Sequence, residues 1–254
     1  MDITWTQFLI ICPLVFLAGF VDAVAGGGGL ISLPAYFMGG LPVHYVLGTN
    51  KMSSCMGTAL TTWKFARRGW IQWRPAAGGV ACALAGSSIG AHIALYIDPA
   101  YFKLIILVVL PLTAAYVMTK KSIETDKPSY GVRRTAAIAM GCAFLMGLYD
   151  GFYGPGTGTF LLLLLTGAAH MKLTAANGMA KAINLSTNAA ALTVFLLNDA
   201  VLVTLGLIAG GFNIAGNYLG ANYFARRGAG GVKHIILAVL VLFFAKTIYE
   251  MMGQ

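Results

Sequence analysis

Gly19-Phe-Val-Asp-Ala-Val-Ala-Gly-Gly-Gly-Gly-Leu-Ile-Ser-Leu-Pro34 is the stretch on which the fold of this chain turns. It sets Asp22 and four consecutive glycines, Gly26 to Gly29, inside sequence that is otherwise continuously apolar. Glycine costs about 1 kcal/mol against alanine in a helix interior, so the run predicts that a helix stops here. In hydrocarbon, the freed N–H and C=O groups find partners only in protein or beside a wet cavity. The stretch therefore either contradicts a membrane reading of the chain or marks its functional centre.

The membrane reading has strong support in the rest of the sequence. Of 254 residues, 58% are hydrophobic and only 10% charged, and apolar runs repeatedly approach the ~20 residues that a helix needs to cross a bilayer. The formal net charge is +9, but its excess sits in short loops between apolar runs, where it is a topology signal and not the footprint of a nucleic-acid partner. Cys12, Cys55, Cys82 and Cys142 lie in apolar segments without C-x-x-C spacing, which suggests neither disulfides nor zinc. His44, His92, His170 and His234 form no repeat-matched or metal-like set, and no metal or cofactor is expected. Ala23-Val-Ala25 after an apolar run imitates a signal-peptide cleavage site, yet no Lys or Arg precedes it.

Apolar runs and their interruptions predict ten segments: 5–25, 30–38, 43–66, 74–97 and 101–119, then 135–152, 159–166, 173–197, 201–225 and 232–251. Segments 30–38 and 159–166 are too short for ordinary crossings, and each follows a glycine-rich break. The two halves also correspond residue by residue. At an offset of 128, Gly19, Asp22, Gly26 and Gly28 fall on Gly147, Asp150, Gly154 and Gly156. At an offset of 130, Gly48 and Lys51 fall on Gly178 and Lys181, while Gly86, Gly90 and Ala91 fall on Gly216, Gly220 and Ala221. The cleavage-like region thus has an internal twin, which argues further against a signal peptide.

Loop charges orient the halves. Lys64, Arg67, Arg68 and Arg74 follow the third segment, whereas Asn198 and Asp199 occupy the corresponding loop. Around the next loop the bias reverses, with Asp98 and Lys103 against Arg226, Arg227 and Lys233. The central linker, rich in Lys120, Lys121, Lys127, Arg133 and Arg134, reads as cytoplasmic. The expected fold is an all-α polytopic membrane protein of two inverted repeats, each with four long transmembrane helices and one short helix after a Gly-rich break. Residues 1–122 form the first repeat, 123–134 the cytoplasmic linker and 135–254 the second repeat, together one transmembrane domain with both termini outside. Inverted repeats with broken helices are a transporter signature, with binding expected around the bilayer midplane.

Lys51 and Lys181 fall at equivalent depths from opposite sides, about 12 Å into a ~30 Å core. Each either snorkels or pairs with an aspartate, or the two are ligands for an anion; the matched positions favour the anion. Asp22 and Asp150 remain open between capping the glycine turns, neutralising the lysines and carrying protons. The turns themselves, Gly26 to Gly29 with Gly28 and Gly29, and Gly154-Pro-Gly156-Thr157-Gly158, precede short helices whose N-termini suit an anion. Gly86, Gly90, Gly216 and Gly220 have the spacing of packed membrane helices. Asn50, Ser53, Ser54 and Thr58 correspond roughly to Asn184, Thr187 and Asn188, either as a polar stripe along a pathway or as helix-helix hydrogen bonds.

Ala18-Gly-Phe-Val-Asp-Ala-Val-Ala-Gly-Gly-Gly-Gly-Leu30 followed by Gly48-Thr-Asn-Lys51, with Tyr149-Asp-Gly-Phe-Tyr-Gly-Pro-Gly-Thr-Gly-Thr-Phe160 followed by Lys181-Ala-Ile-Asn184, resembles the paired motifs of the TauE/SafE family of sulfite exporters. The resemblance spans the whole chain. It implies a multi-pass protein of the bacterial inner membrane that moves sulfur-containing anions such as sulfite, thiosulfate or organosulfonates.

The expected function is thus a secondary transporter, an exporter by resemblance, of a small sulfur-containing anion. Its partners are that anion and the lipid bilayer, with a homo-oligomer left open. Lys51, Lys181, Asn50, Gly28, Gly29, Gly156, Thr157, Gly158 and Asn184 are the expected substrate residues, and Asp22 and Asp150 the coupling or structural ones. No phosphate-binding nucleotide loop is present in the sequence, so the drive must come from a gradient or a partner. Two other classes compete. An intramembrane aspartyl protease would use Asp22 and Asp150, but the Gly-x-Gly-Asp element that should follow Tyr149-Asp150 is missing. A membrane scaffold subunit would have no use for a duplicated polar centre.

Overall fold

The computed structural model describes residues 3–98, 101, 102, 105, 108, 109, 111, 112, 115 and 130–227. The described residues contain no strand and form eight helices: α1 (Trp5–Ala25), α2 (Gly29–Met38), α3 (Val43–Arg67), α4 (Trp73–Tyr96), α5 (Val132–Phe152), α6 (Thr157–Gly167), α7 (Leu173–Leu197) and α8 (Val203–Arg227). They coincide with eight of the ten expected segments. Segment 232–251, most of 101–119 and linker residues 123–129 lie outside the described residues. Helix α5 starts at Val132, so Arg133 and Arg134 form its first turn. Helix α6 starts two residues early because the hydroxyl and N–H of Thr157 both bond Gly154 O, winding the chain directly out of the turn.

By length and composition α1, α5, α7 and residues Ala76–Tyr96 of α4 can each cross a membrane. Helices α3 and α8 are as long, 25 residues each, but carry more polar side chains. At ~1.5 Å per residue, α2 and α6 reach about halfway through a ~30 Å core. Burial is distributed as lipid demands. Trp5 and Tyr96, at helix ends, are 85% and 88% exposed, while Asn50, Lys51, Asn184 and Asn217 are buried. Large apolar and aromatic groups outside and polar groups between helices are the distribution of a bilayer-embedded bundle.

Contacts fix the helix directions. Gly216 and Gly220 of α8 lie against the backbone at Phe16 and Phe20 of α1, and Gly206, Gly210 and Asn217 of α8 meet Met52, Met56 and Thr61 of α3. Each series advances in step, so α1, α3 and α8 run the same way. Gly86 and Gly90 of α4 lie against Phe144 and Leu148 of α5, and Gly79 and Ser87 of α4 meet Met179 and Thr187 of α7, so these three also run together. Helices α3 and α7 are antiparallel, since Gly48 meets Ala200, Thr62 bonds Lys181 O, and Trp70 meets Gly178. The short helices turn back along their predecessors: Gln7 at the start of α1 bonds Gly39 O after α2, and Thr135 at the start of α5 bonds Ala169 O after α6. These pairs recur at the same offsets, 128 and 130, that relate the two halves of the sequence.

Candidate functional site

The site is built where the two glycine breaks touch. Helix α1 ends as Gly26 takes φ 75° and donates its N–H to Asp22 O at 2.9 Å. A Cβ at Gly26 would stand 2.6 Å from Gly158 Cα, closer than side chains tolerate, so the crossing admits only backbone from either half. Thr159 Oγ1 ties it by donating to Ala25 O at 2.7 Å. In the second break Gly154 takes φ 96° and Gly156 φ 81°. Tyr149 holds this turn through its hydroxyl, which donates to Pro155 O at 2.7 Å.

The charged residues pair crosswise between halves. Lys181 Nζ donates to Asp22 Oδ2 at 2.8 Å and also to the Asp22 backbone oxygen. Lys51 Nζ lies 2.8 Å from Asp150 Oδ2, the distance of a charge-assisted hydrogen bond. Their side chains are 3% and 4% exposed, against 1% for Lys181 and 14% for Asp22. Buried ions are costly unless paired, so each lysine is held in place by the other half's aspartate. Thr62 Oγ1 bonds Lys181 O, 11 residues beyond Lys51 on α3. The two lysine backbones are thus offset by about 16 Å along that helix.

A cavity of about 30 Å³, room for roughly two waters, opens between the pairs and is lined by Asp22, Gly28, Gly29, Asn50, Lys51, Asp150, Gly158 and Asn184 among others. Eight of the eleven residues singled out in the sequence therefore share one cavity wall; Lys181, Gly156 and Thr157 do not line it. Lys181 stands behind Asp22, and the Thr157 hydroxyl is engaged by Gly154 O at 2.8 Å. From the polar stripes, Ser54 and Thr58 of α3 and Asn188 of α7 also line the cavity. Ser53 instead accepts the Tyr36 hydroxyl at 2.8 Å, and Thr187 bonds its own helix at Asn184 O.

Ala18, Ser32 and Asn213 are lining residues that sequence reasoning missed, and the most polar of them is Asn213. It belongs to a chain of bonds in which Thr61 Oγ1 donates to Asn217 Oδ1 at 2.7 Å and Asn217 Nδ2 donates to Asn213 Oδ1 at 2.8 Å. Asn213 Nδ2 then donates to Val15 O at 3.3 Å, linking α3, α8 and α1. Gly57 makes room for it, since a Cβ there would collide with the Asn213 amide. Two asparagines one turn apart in an apolar segment were the available signal, but the repeat comparison hid it: their counterparts 130 residues earlier are Ala83 and Ser87.

The lining offers an ammonium, amides and hydroxyls to an anion, and two carboxylates opposing it. Each aspartate is neutralised by a lysine and not by the other aspartate, unlike the proton-sharing carboxylate dyad of an aspartyl protease.

Known proteins resemble this chain over nearly its whole length. The family model described as sulfite exporter TauE/SafE matches residues 11–247. The chain is 30% identical to "Probable membrane transporter protein ORF9" of Sinorhizobium sp, over 94% of this chain and 92% of that protein. It is also 30% identical to a "Probable membrane transporter protein" of Haemophilus influenzae, over 98% of each, and to "Probable membrane transporter protein YfcA" of Escherichia coli K12, over 99% of this chain and 96% of that one. No solved structure is significantly similar. With nearly its whole length matched by the family and by these full-length relatives, the chain belongs to the TauE/SafE family of sulfite exporters.

Proposed function

We propose that this chain is a secondary transporter, working as an exporter in the bacterial inner membrane, for a small sulfur-containing anion such as sulfite, thiosulfate or an organosulfonate. The anion binds near the middle of the membrane between two inverted repeats, each of four long helices and one short one. The observation that carries this reading is the crosswise pairing of buried Lys51 with Asp150 and Lys181 with Asp22 around a polar cavity at the meeting of two helix breaks. The opposite directions of α1 and α5, α3 and α7, and α4 and α8 support the inverted arrangement, because these pairs correspond in the repeat.

Two lysines and two aspartates make a neutral cluster. An anion entering it adds an uncompensated negative charge to a low-dielectric site, so uptake of a proton on Asp22 or Asp150, or of a cation, accompanies binding. Asn50, Asn184, Ser54 and Thr58 supply neutral donors to the anion's oxygens. A cavity of this size accepts a small oxyanion in place of its waters, and a larger organosulfonate requires the lining helices to separate. Relaying the cavity between the two membrane faces then amounts to rocking one repeat against the other about the Gly26–Gly158 crossing.

The direct test is flux of labelled sulfite, thiosulfate and small sulfonates in proteoliposomes. Lys51→Ala together with Lys181→Ala is expected to abolish it; undiminished flux would remove the site assignment.

A further inference from the structure

We propose that the two repeat-matched lysines do different jobs: Lys51 binds the transported anion, and Lys181 is a positioning residue that holds Asp22 and the end of α1. This division rests on the anion-transport reading above.

Lys181 is committed elsewhere. Its ammonium donates to Asp22 Oδ2 at 2.8 Å and to the Asp22 carbonyl, the same oxygen that accepts the Gly26 N–H at the end of α1. A cation against the last carbonyls of a helix is favoured by the helix dipole, so Lys181 acts as a helix-end clamp. Its side chain is 1% exposed and takes no part in the cavity lining.

Lys51 faces the cavity and has hydrogen atoms to offer. Its ion-pair partner among the described residues is Asp150, whose Oδ2 lies 2.8 Å from Nζ, and both residues line the cavity. An ammonium has three donors, so a single contact to Asp150 leaves others for a ligand in the cavity. An anion oxygen entering beside Lys51 can take the donors that Asp150 does not use. Ser54 and Thr58, on the same helix, line the cavity with it.

Asp22 explains why Lys181 still matters. Asp22 lines the cavity, and its side chain is the most exposed of the four charged groups, at 14%. Held by Lys181 it is neutralised, and released it repels the anion. Lys181 thus acts on binding through Asp22, whereas Lys51 acts directly.

The test is sulfite affinity of the purified full-length protein, measured by titration calorimetry. Lys51→Gln is expected to weaken binding by about 10- to 100-fold, the worth of a charged hydrogen bond, and adding Asp150→Asn does not restore it. Lys181→Gln is expected to weaken binding by about 10-fold, and adding Asp22→Asn recovers it to within about threefold. Rescue in both pairs, in neither, or only in the Lys51 pair overturns the division of labour while leaving the shared site standing. Sulfite binding that is absent from the unchanged protein, or indifferent to all four variants, overturns the transport-site reading itself. A second measurement needs no variant: selenite soaked into crystals of the unchanged protein should give an anomalous peak about 4 Å from Lys51 Nζ, one Se–O bond beyond the hydrogen-bonded oxygen. A peak shared between the lysines, or nearer Lys181, refutes the proposal.

Discussion

The crossing of the two breaks can be dissected with four glycine-to-alanine changes, because the structure separates backbone strain from collision. Gly40 has φ 77° and open space, with nothing within 4 Å of where a Cβ would stand, so Gly40→Ala isolates the strain of a left-handed residue, about 1–2 kcal/mol. Gly158 carries no such strain, but its Cβ would lie 2.6 Å from Gly26 Cα and Gly26 O. Gly158→Ala therefore isolates overpacking, about 1–3 kcal/mol. Gly26 combines φ 75° with the same collision seen from the other side, so Gly26→Ala should cost about 2–5 kcal/mol, near the sum of the other two. Gly141, inside α5 with open space around it, should gain roughly 0.5–1 kcal/mol as alanine. Unfolding in a single detergent, followed by the fluorescence of the four tryptophans, measures all four on one scale. If Gly26→Ala proves no more damaging than Gly40→Ala, or Gly158→Ala is neutral, the two breaks do not touch.

Two further stability experiments probe the polar interior. Asp150→Ala strands the buried Lys51 ammonium and is expected to cost about 3–5 kcal/mol, most of it returned by Lys51→Met with Asp150→Leu; a cost under about 1 kcal/mol would mean that the pair is solvated. Asn217→Ala leaves Thr61 Oγ1 without its acceptor and Asn213 Oδ1 without its donor, at about 2–4 kcal/mol. Thermal unfolding should show the combination of Asn217→Leu with Thr61→Val to be less damaging, since it removes both hydrogen-bonding groups of the α3–α8 link together.

The helices were legible because their signals are local. Gly26 to Gly29 and Gly154-Pro-Gly156 interrupt apolar runs, and α1, α2 and α3 begin or end within a residue of the expected positions. The candidate site was legible in part because gene-internal repetition doubles its signal: Asp22 and Lys51 each have a counterpart with the same side chain. Asn213 and Asn217 lacked that echo, and the polar stripe on α3 looked uniform although Ser54 lines the cavity and Ser53 bonds Tyr36.

The sequence by itself determined where the described helices run and break, and which ionisable residues occupy their apolar interior, because hydropathy, glycine runs and repeat offsets are properties of the chain order. Only the tertiary structure decided that Lys51 meets Asp150 and Lys181 meets Asp22, and that one lysine faces the cavity while the other stands behind an aspartate. Lys181 and Asp22 are 159 residues apart, so their meeting depends on how α1, α3 and α7 pack. Partner choice between distant buried charges is set by helix direction and offset, which side-chain periodicity within one helix does not encode.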